Sequence, residues 1–66
     1  MKIRINGEDA EVNPGLLLID LLQKRQINPA AVIIEHNHQI ISCSQFPNTP
    51  IQENDRLEII SFVGGG

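Results

Sequence analysis

The sequence predicts an α+β fold in which one short helix packs across one face of a mixed sheet. Three observations carry that expectation. An Asn6-Gly7 pair sits between two alternating runs near the amino end. A single stretch has helical spacing of leucines at 18, 21 and 22. A strand-like run over residues 57–63 comes last, followed only by Gly64, Gly65 and Gly66. At 66 residues the chain makes one domain. A domain of that size has a small core and little room for a cleft with several positioned side chains.

Residues 1–12 read as a hairpin, because a two-residue type I′ turn needs positive φ at both central positions and Asn-Gly supplies it. Centring the turn there pairs Ile5 with Glu8, Arg4 with Asp9, Ile3 with Ala10, Lys2 with Glu11 and Met1 with Val12. One face is then apolar, and the other sets Lys2 against Glu11 and Arg4 against Asp9. Asn13-Pro14-Gly15 is a turn. Residues 16–25 read as a helix, with Leu18, Leu21 and Leu22 on one face, Asp20, Gln23 and Lys24 on the other, and Asp20–Lys24 as an i,i+4 pair. No Ser, Thr or Asp stands before it as an N-cap. Ile27-Asn28-Pro29 closes it, since Pro29 cannot continue a helix.

Residues 31–35 form a short apolar strand, residues 36–39 (His-Asn-His-Gln) a polar turn, and Ile40-Ile41 the next strand. Residues 42–50 read as irregular, punctuated by Pro47, Asn48 and Pro50, and residues 52–55 as a second turn. In the last strand Leu57, Ile59 and Ser61 share one face, and Glu58, Ile60 and Phe62 the other. Neither face is cleanly polar, which predicts a central, largely covered strand with any exposed remainder available to a partner. The order β-β-α-β-β-β, with first and last strands side by side, is that of the β-grasp, or ubiquitin-like, roll. The predicted organisation is a β-grasp domain over residues 1–63 and a flexible glycine tail over residues 64–66.

Five basic and eight acidic residues leave a net charge of −3. Lys2, Arg4, Lys24, Arg25 and Arg56 are dispersed along the chain, and Phe46 and Phe62 are the only aromatics. Nucleic-acid binding by charge and stacking is not expected, and a weakly acidic surface suits a partner with a basic docking face. The one cysteine, Cys43, cannot form an internal disulfide, which fits a reducing compartment. No apolar run approaches the length of a membrane span, and the amino end has strand pattern rather than a signal sequence. The expected location is the cytoplasm.

Candidate chemistry is sparse. His36 and His38, with Glu35 and Cys43 nearby in sequence, match no recognised metal-ligand spacing, and the histidines read as turn residues. Cys43 has no basic cluster to activate it and reads as a small, partly buried residue. No carboxylate pair and no phosphate-cradling glycine loop is present. A glycine run at a chain end is also what a mobile terminus or a linker looks like. What remains is the carboxylate of Gly66. A carboxylate is a poor acyl donor; condensation with ATP to an acyl-adenylate supplies a leaving group, after which a sulfur nucleophile can attack. Glycines leave that carbonyl unhindered, and an extended triplet reaches about 10 Å beyond the strand.

The stretch over residues 54–66, NDRLEIISFVGGG, closely resembles the carboxy-terminal signature of the thiamine-biosynthesis sulfur carrier family, ThiS. The EHNHQII segment at 35–41, the Leu21-Leu22 pair and the Asn6-Gly7 hairpin extend the resemblance over essentially the whole chain. Two positions depart from the family's usual pattern: Leu17 stands where Thr is common at the helix start, and Asn54 where glycine is frequent. Asn tolerates the left-handed conformation such a turn needs.

The resemblance implies a carrier without catalytic residues or a bound cofactor or metal of its own. An E1-like, ThiF-type adenylyltransferase would use ATP to adenylate Gly66. Sulfur from a cysteine-desulfurase persulfide would make the thiocarboxylate, and a ThiG-type thiazole synthase would take that sulfur for the thiazole ring of thiamine. Gly64 and Gly65 would thread the partners' channels, and Phe62 and Val63 would sit at the docking surface. The alternatives are the small subunit of molybdopterin synthase, which shares the chemistry but not the acceptor, a ubiquitin-like modifier of lysines, and an interaction domain with an idle tail.

Overall fold

The computed structural model describes residues 1–61. Five strands form one sheet: β1 (Lys2–Ile5), β2 (Glu8–Glu11), β3 (Val32–His36), β4 (Gln39–Ile41) and β5 (Arg56–Ser61). One α-helix, α1 (Leu18–Lys24), and two 3₁₀ segments, Pro29–Ala31 and Cys43–Asn48, complete the elements. The strand order is β2-β1-β5-β3-β4. β1 and β5 are parallel neighbours near the centre, and the other pairings are antiparallel. This is the mixed sheet with one helix that the hydrophobic pattern predicts.

The first hairpin has the predicted register, Ile5 opposite Glu8 through Lys2 opposite Glu11. Asn6 and Gly7 have φ of 52° and 83°, the left-handed pair of a type I′ turn. The ion pairs differ from the expectation in one respect. Arg4 meets Asp9 at 3.3 Å, but the Lys2 ammonium also reaches Asp9, at 3.9 Å, rather than Glu11. A long lysine side chain spans the diagonal as easily as the direct pair.

The helix is shorter than residues 16–25, because the leucines before it are held in extended backbone. Leu17 bridges Pro50, the Ile51 N–H donates to the Leu16 carbonyl, and the Leu18 N–H donates to the Thr49 carbonyl. The last of these satisfies one of the donors a helix start leaves open. Asp20 accepts from the Leu17 N–H at 3.1 Å instead of pairing with Lys24. A carboxylate in the first turn also complements the positive end of the helix dipole.

At the other end the Ile27 N–H bonds to the Leu22 carbonyl and the Gln26 N–H to the Gln23 carbonyl, with Gln26 at φ 58°. That is a Schellman closure, complete before Pro29 is reached. Asn28 and Pro29 instead start the first 3₁₀ turn, with the Asn28 side chain accepting from the Ala30 N–H. Ala31 belongs to that turn, so β3 begins one residue later than predicted and includes His36.

α1 buries Leu18, Leu21 and Leu22 against Ile3, Ile5, Val32, Ile34 and Leu57 on one face of the sheet. Each such side chain removed from water contributes about 2 kcal/mol. Phe46 and Ile51 complete this core. Phe46 corrects the reading of residues 42–50 as irregular: most of that segment is a 3₁₀ helix that carries the one buried aromatic among the described residues. Cys43 is likewise corrected. It stands at the open first turn of that helix and is exposed, because Phe46 fills the buried position. No helix among the described residues is long and apolar enough to cross a membrane.

Candidate functional site

The residues on which function is expected to turn, Phe62, Val63, Gly64, Gly65 and Gly66, lie outside the described residues. The structure does describe the platform that leads to them. β5 is central, as predicted, but covered on one face only. Leu57 is buried and Ile59 packs against the core. On the opposite, open face Arg56, Glu58 and Ile60 are exposed.

Two asparagines grip β5 from either side. Asn6 continues the β1–β5 ladder beyond the end of β1. Its own N–H donates to the Leu57 carbonyl at 2.8 Å, its side-chain oxygen accepts from the Ile59 N–H at 2.7 Å, and its side-chain amide donates to the Ile59 carbonyl at 3.3 Å. Asn37, in the β3–β4 turn, does the same at the start of the strand. Its N–H donates to the Arg56 carbonyl and its side-chain oxygen accepts from the Arg56 N–H, both at 2.9 Å.

Behind Asn37 lies Asp55, the only buried charged residue among those described. It accepts from the Gln52 N–H at 2.8 Å, the Asn37 amide at 3.0 Å and His36 Nε2 at 2.8 Å. A carboxylate only accepts, so the proton of the His36 ring stands on Nε2. Burial pushes the Asp55 carboxyl up, but these three hydrogen bonds and the electrostatic pull of His36 outweigh it and hold the group below its ordinary range. The network ties the residue before β5 to the β3–β4 turn. Asn54, just upstream, adopts φ 69°, the left-handed conformation expected of it.

His36 is thereby a structural residue at the end of β3, while His38 occupies the second, left-handed position of the turn at φ 71°. Among the described residues no three His, Cys, Asp or Glu side chains converge as metal ligands.

The open face also carries residues that sequence reasoning did not single out. Ile33, Ile40 and Ile60 are 43%, 64% and 52% exposed. Ile33 and Ile60 are direct register partners, and Glu35 stands opposite both Ile40 and Glu58. The apolar patch therefore flanks the end of β5 from which the chain runs on to the tail. Its signal was in the sequence as a continuous apolar β3, which reads as a strand covered on both faces. The cations are corrected too. Lys2, Arg4 and Arg56 are dispersed in sequence, but the parallel pairing sets Arg4 directly opposite Arg56 and brings all three around one depression with Asp9 and Asn54.

Residues 3–66 match the model of the ThiS family. The chain is 34% identical to the sulfur carrier protein ThiS of Bacillus subtilis, over 97% of this chain and 98% of that one. It is 35% identical to a thiazole synthase of Magnetococcus marinus along its whole length, but spans only 20% of that protein. The crystal structure of the thiamine biosynthesis protein ThiS of Geobacter metallireducens superposes with a TM-score of 0.86 at 26% identity, covering both chains completely. The fold is the ubiquitin-like β-grasp, and the chain belongs to the ThiS family.

Proposed function

We propose that this protein carries sulfur in thiamine biosynthesis, as a thiocarboxylate on Gly66. The observation that carries the proposal is the end-to-end match to a sulfur carrier, joined to a strand that leads toward the tail beside an exposed apolar patch. The chain supplies a substrate, not a catalyst. An E1-like adenylyltransferase activates the Gly66 carboxylate with ATP, and the terminal sulfur of a cysteine-desulfurase persulfide displaces AMP to give an acyl disulfide. A second thiol then cleaves its S–S bond, leaving a disulfide between the two thiols and releasing the thiocarboxylate that thiazole synthase consumes. Gly64 and Gly65 thread the enzymes' channels because neither has a Cβ. Phe62 and Val63 join Ile33, Ile40 and Ile60 in docking. The setting is the cytoplasm.

Thiazole synthases that include a stretch resembling this chain favour the thiamine acceptor over molybdopterin. The test is intact mass after incubation with ATP, the adenylyltransferase and a sulfur source. Exchange of one oxygen for sulfur, placed by fragmentation within residues 64–66, is expected. Fragmentation is required because oxidation of Met1 or exposed Cys43 adds nearly the same mass. An unchanged tail with active enzyme and donor would overturn the proposal, and a lysine-linked adduct would move the chain to the modifier class.

A further inference from the structure

The open face of the sheet is banded along β5. At the start of the strand Arg56 stands opposite Arg4, in the middle Glu58 stands opposite Glu35, and toward the end Ile60 stands opposite Ile33. Successive residues on one face of a strand are about 6.7 Å apart, so the three bands span roughly 13 Å.

Two of these three register pairs set like charges directly across the ladder, which is unfavourable in the free protein. Asp9 relieves Arg4 through its Nε and lies near Lys2, and Glu11 stands opposite Lys2. Among the described residues Arg56 has no carboxylate within ion-pair distance. Arg56 also borders a second depression, formed with Arg4, Gly7, Leu57 and Glu58. An arginine pair at the opposite end of this face from the apolar band, on a chain whose net charge is −3, is a localised reversal of the molecule's field.

We propose that this face docks on thiazole synthase by charge registration, with an acidic cluster of the enzyme seated on Arg4 and Arg56. This rests on the sulfur-carrier reading and adds to it which end of the face meets which charge. The apolar band lies at the tail end and is covered as the tail enters the enzyme. The arginine band lies at the far end of β5, where it sets the rotation of the carrier about the tail. A basic group of the enzyme between the two meets Glu35 and Glu58. A second copy of this chain fits less well. A two-fold axis that sets the arginines of one copy on the glutamates of the other leaves Ile33 and Ile60 outside the contact.

The experiment measures binding of the full chain to thiazole synthase at low and high salt, for the native protein, Arg56→Glu and Lys24→Glu. Lys24 lies on the helix, on the other side of the sheet, and gives the same change in net charge. Arg56→Glu is expected to weaken binding about tenfold or more, mainly through the association rate, and to flatten the salt dependence. Its thermal midpoint should hold or rise, because the substitution sets an opposite charge beside Arg4. Lys24→Glu should bind as the native chain does.

Equal affinity and salt dependence for Arg56→Glu and the native chain would overturn the proposal, as would an equal loss from Lys24→Glu. A dimer of the native chain that Arg56→Glu converts to monomer would overturn it in favour of self-association. A native chain that accepts sulfur on its tail but does not bind thiazole synthase would overturn the docking proposal alone. One that does neither would remove the sulfur-carrier reading with it.

Discussion

The two faces of β5 come from one alternating sequence and are built to opposite rules. On the inner face Leu57 and Ile59 meet helix α1 and the core, and their neighbours across the ladder are apolar or hydrogen-bonded. On the outer face arginine opposes arginine, glutamate opposes glutamate, and isoleucine is left in water. The inner face answers to packing, where every methylene removed leaves a hole. The outer face departs from what stability alone would select, and such departures concentrate where a protein does its work. Packing and the proposed recognition are thus separated by a single residue step along the chain.

Substitutions along the strand can break that separation. The largest effect is expected at Leu57→Ala, which should cost about 2–5 kcal/mol in urea unfolding. Ile60→Ala, three residues along and on the opposite face, should change stability by only about 0.5 kcal/mol while weakening binding to the adenylyltransferase. A comparable loss of stability at both positions would show that the outer face is also a packed surface.

Asp55→Ala is expected to cost about 3 kcal/mol, because it leaves the Gln52 N–H, the Asn37 amide and the His36 ring without their acceptor. The same group predicts an acid limit. Its folded carboxyl titrates below the ordinary range, so its contribution is fully present above the unfolded value. That contribution is lost as pH falls below about 4, through the folded value. Unfolding curves of native chain and Asp55→Ala should therefore converge in acid, and a constant gap down to pH 2 would remove Asp55 as the cause.

A small effect of opposite sign concerns the β3–β4 turn. It has the same left-handed pair as the first hairpin but places His38, not glycine, at the second position. His38→Gly should raise stability by about 0.5–1 kcal/mol. A loss instead would show that the His38 side chain contributes to the fold.

How much of this was legible in the sequence depended on the distance between cooperating residues. The Asn6-Gly7 turn and its register were readable because the turn type and the facing residues lie within a few positions. The central place of β5 was readable from its apolar run. The grip of Asn6 on Ile59 was not, since nothing in an Asn-Gly turn indicates which strand its side chain will meet. Asp55 looked like one more polar residue in a turn, because its partners His36 and Asn37 come from a different hairpin. The arginine pair was hidden for the same reason, as Arg4 and Arg56 come from opposite ends of the chain. The helix was overextended at its start because Leu16 and Leu17 have helical composition but are claimed by the backbone of residues 49–51. The glycine tail was the clearest signal in the sequence and lies outside the described residues.

The parallel setting of β1 and β5 has a mechanical consequence. The first residue of β1 and the last of β5 lie at opposite ends of the shared ladder. A pull between the two chain ends therefore loads that ladder in shear. The Arg4 N–H to Asp55, the Asn6 N–H to Leu57 and the side-chain bonds of Asn6 to Ile59 must yield together rather than one after another. If the tail enters its enzymes as proposed, the pull on it is met by the geometry that best resists being drawn apart.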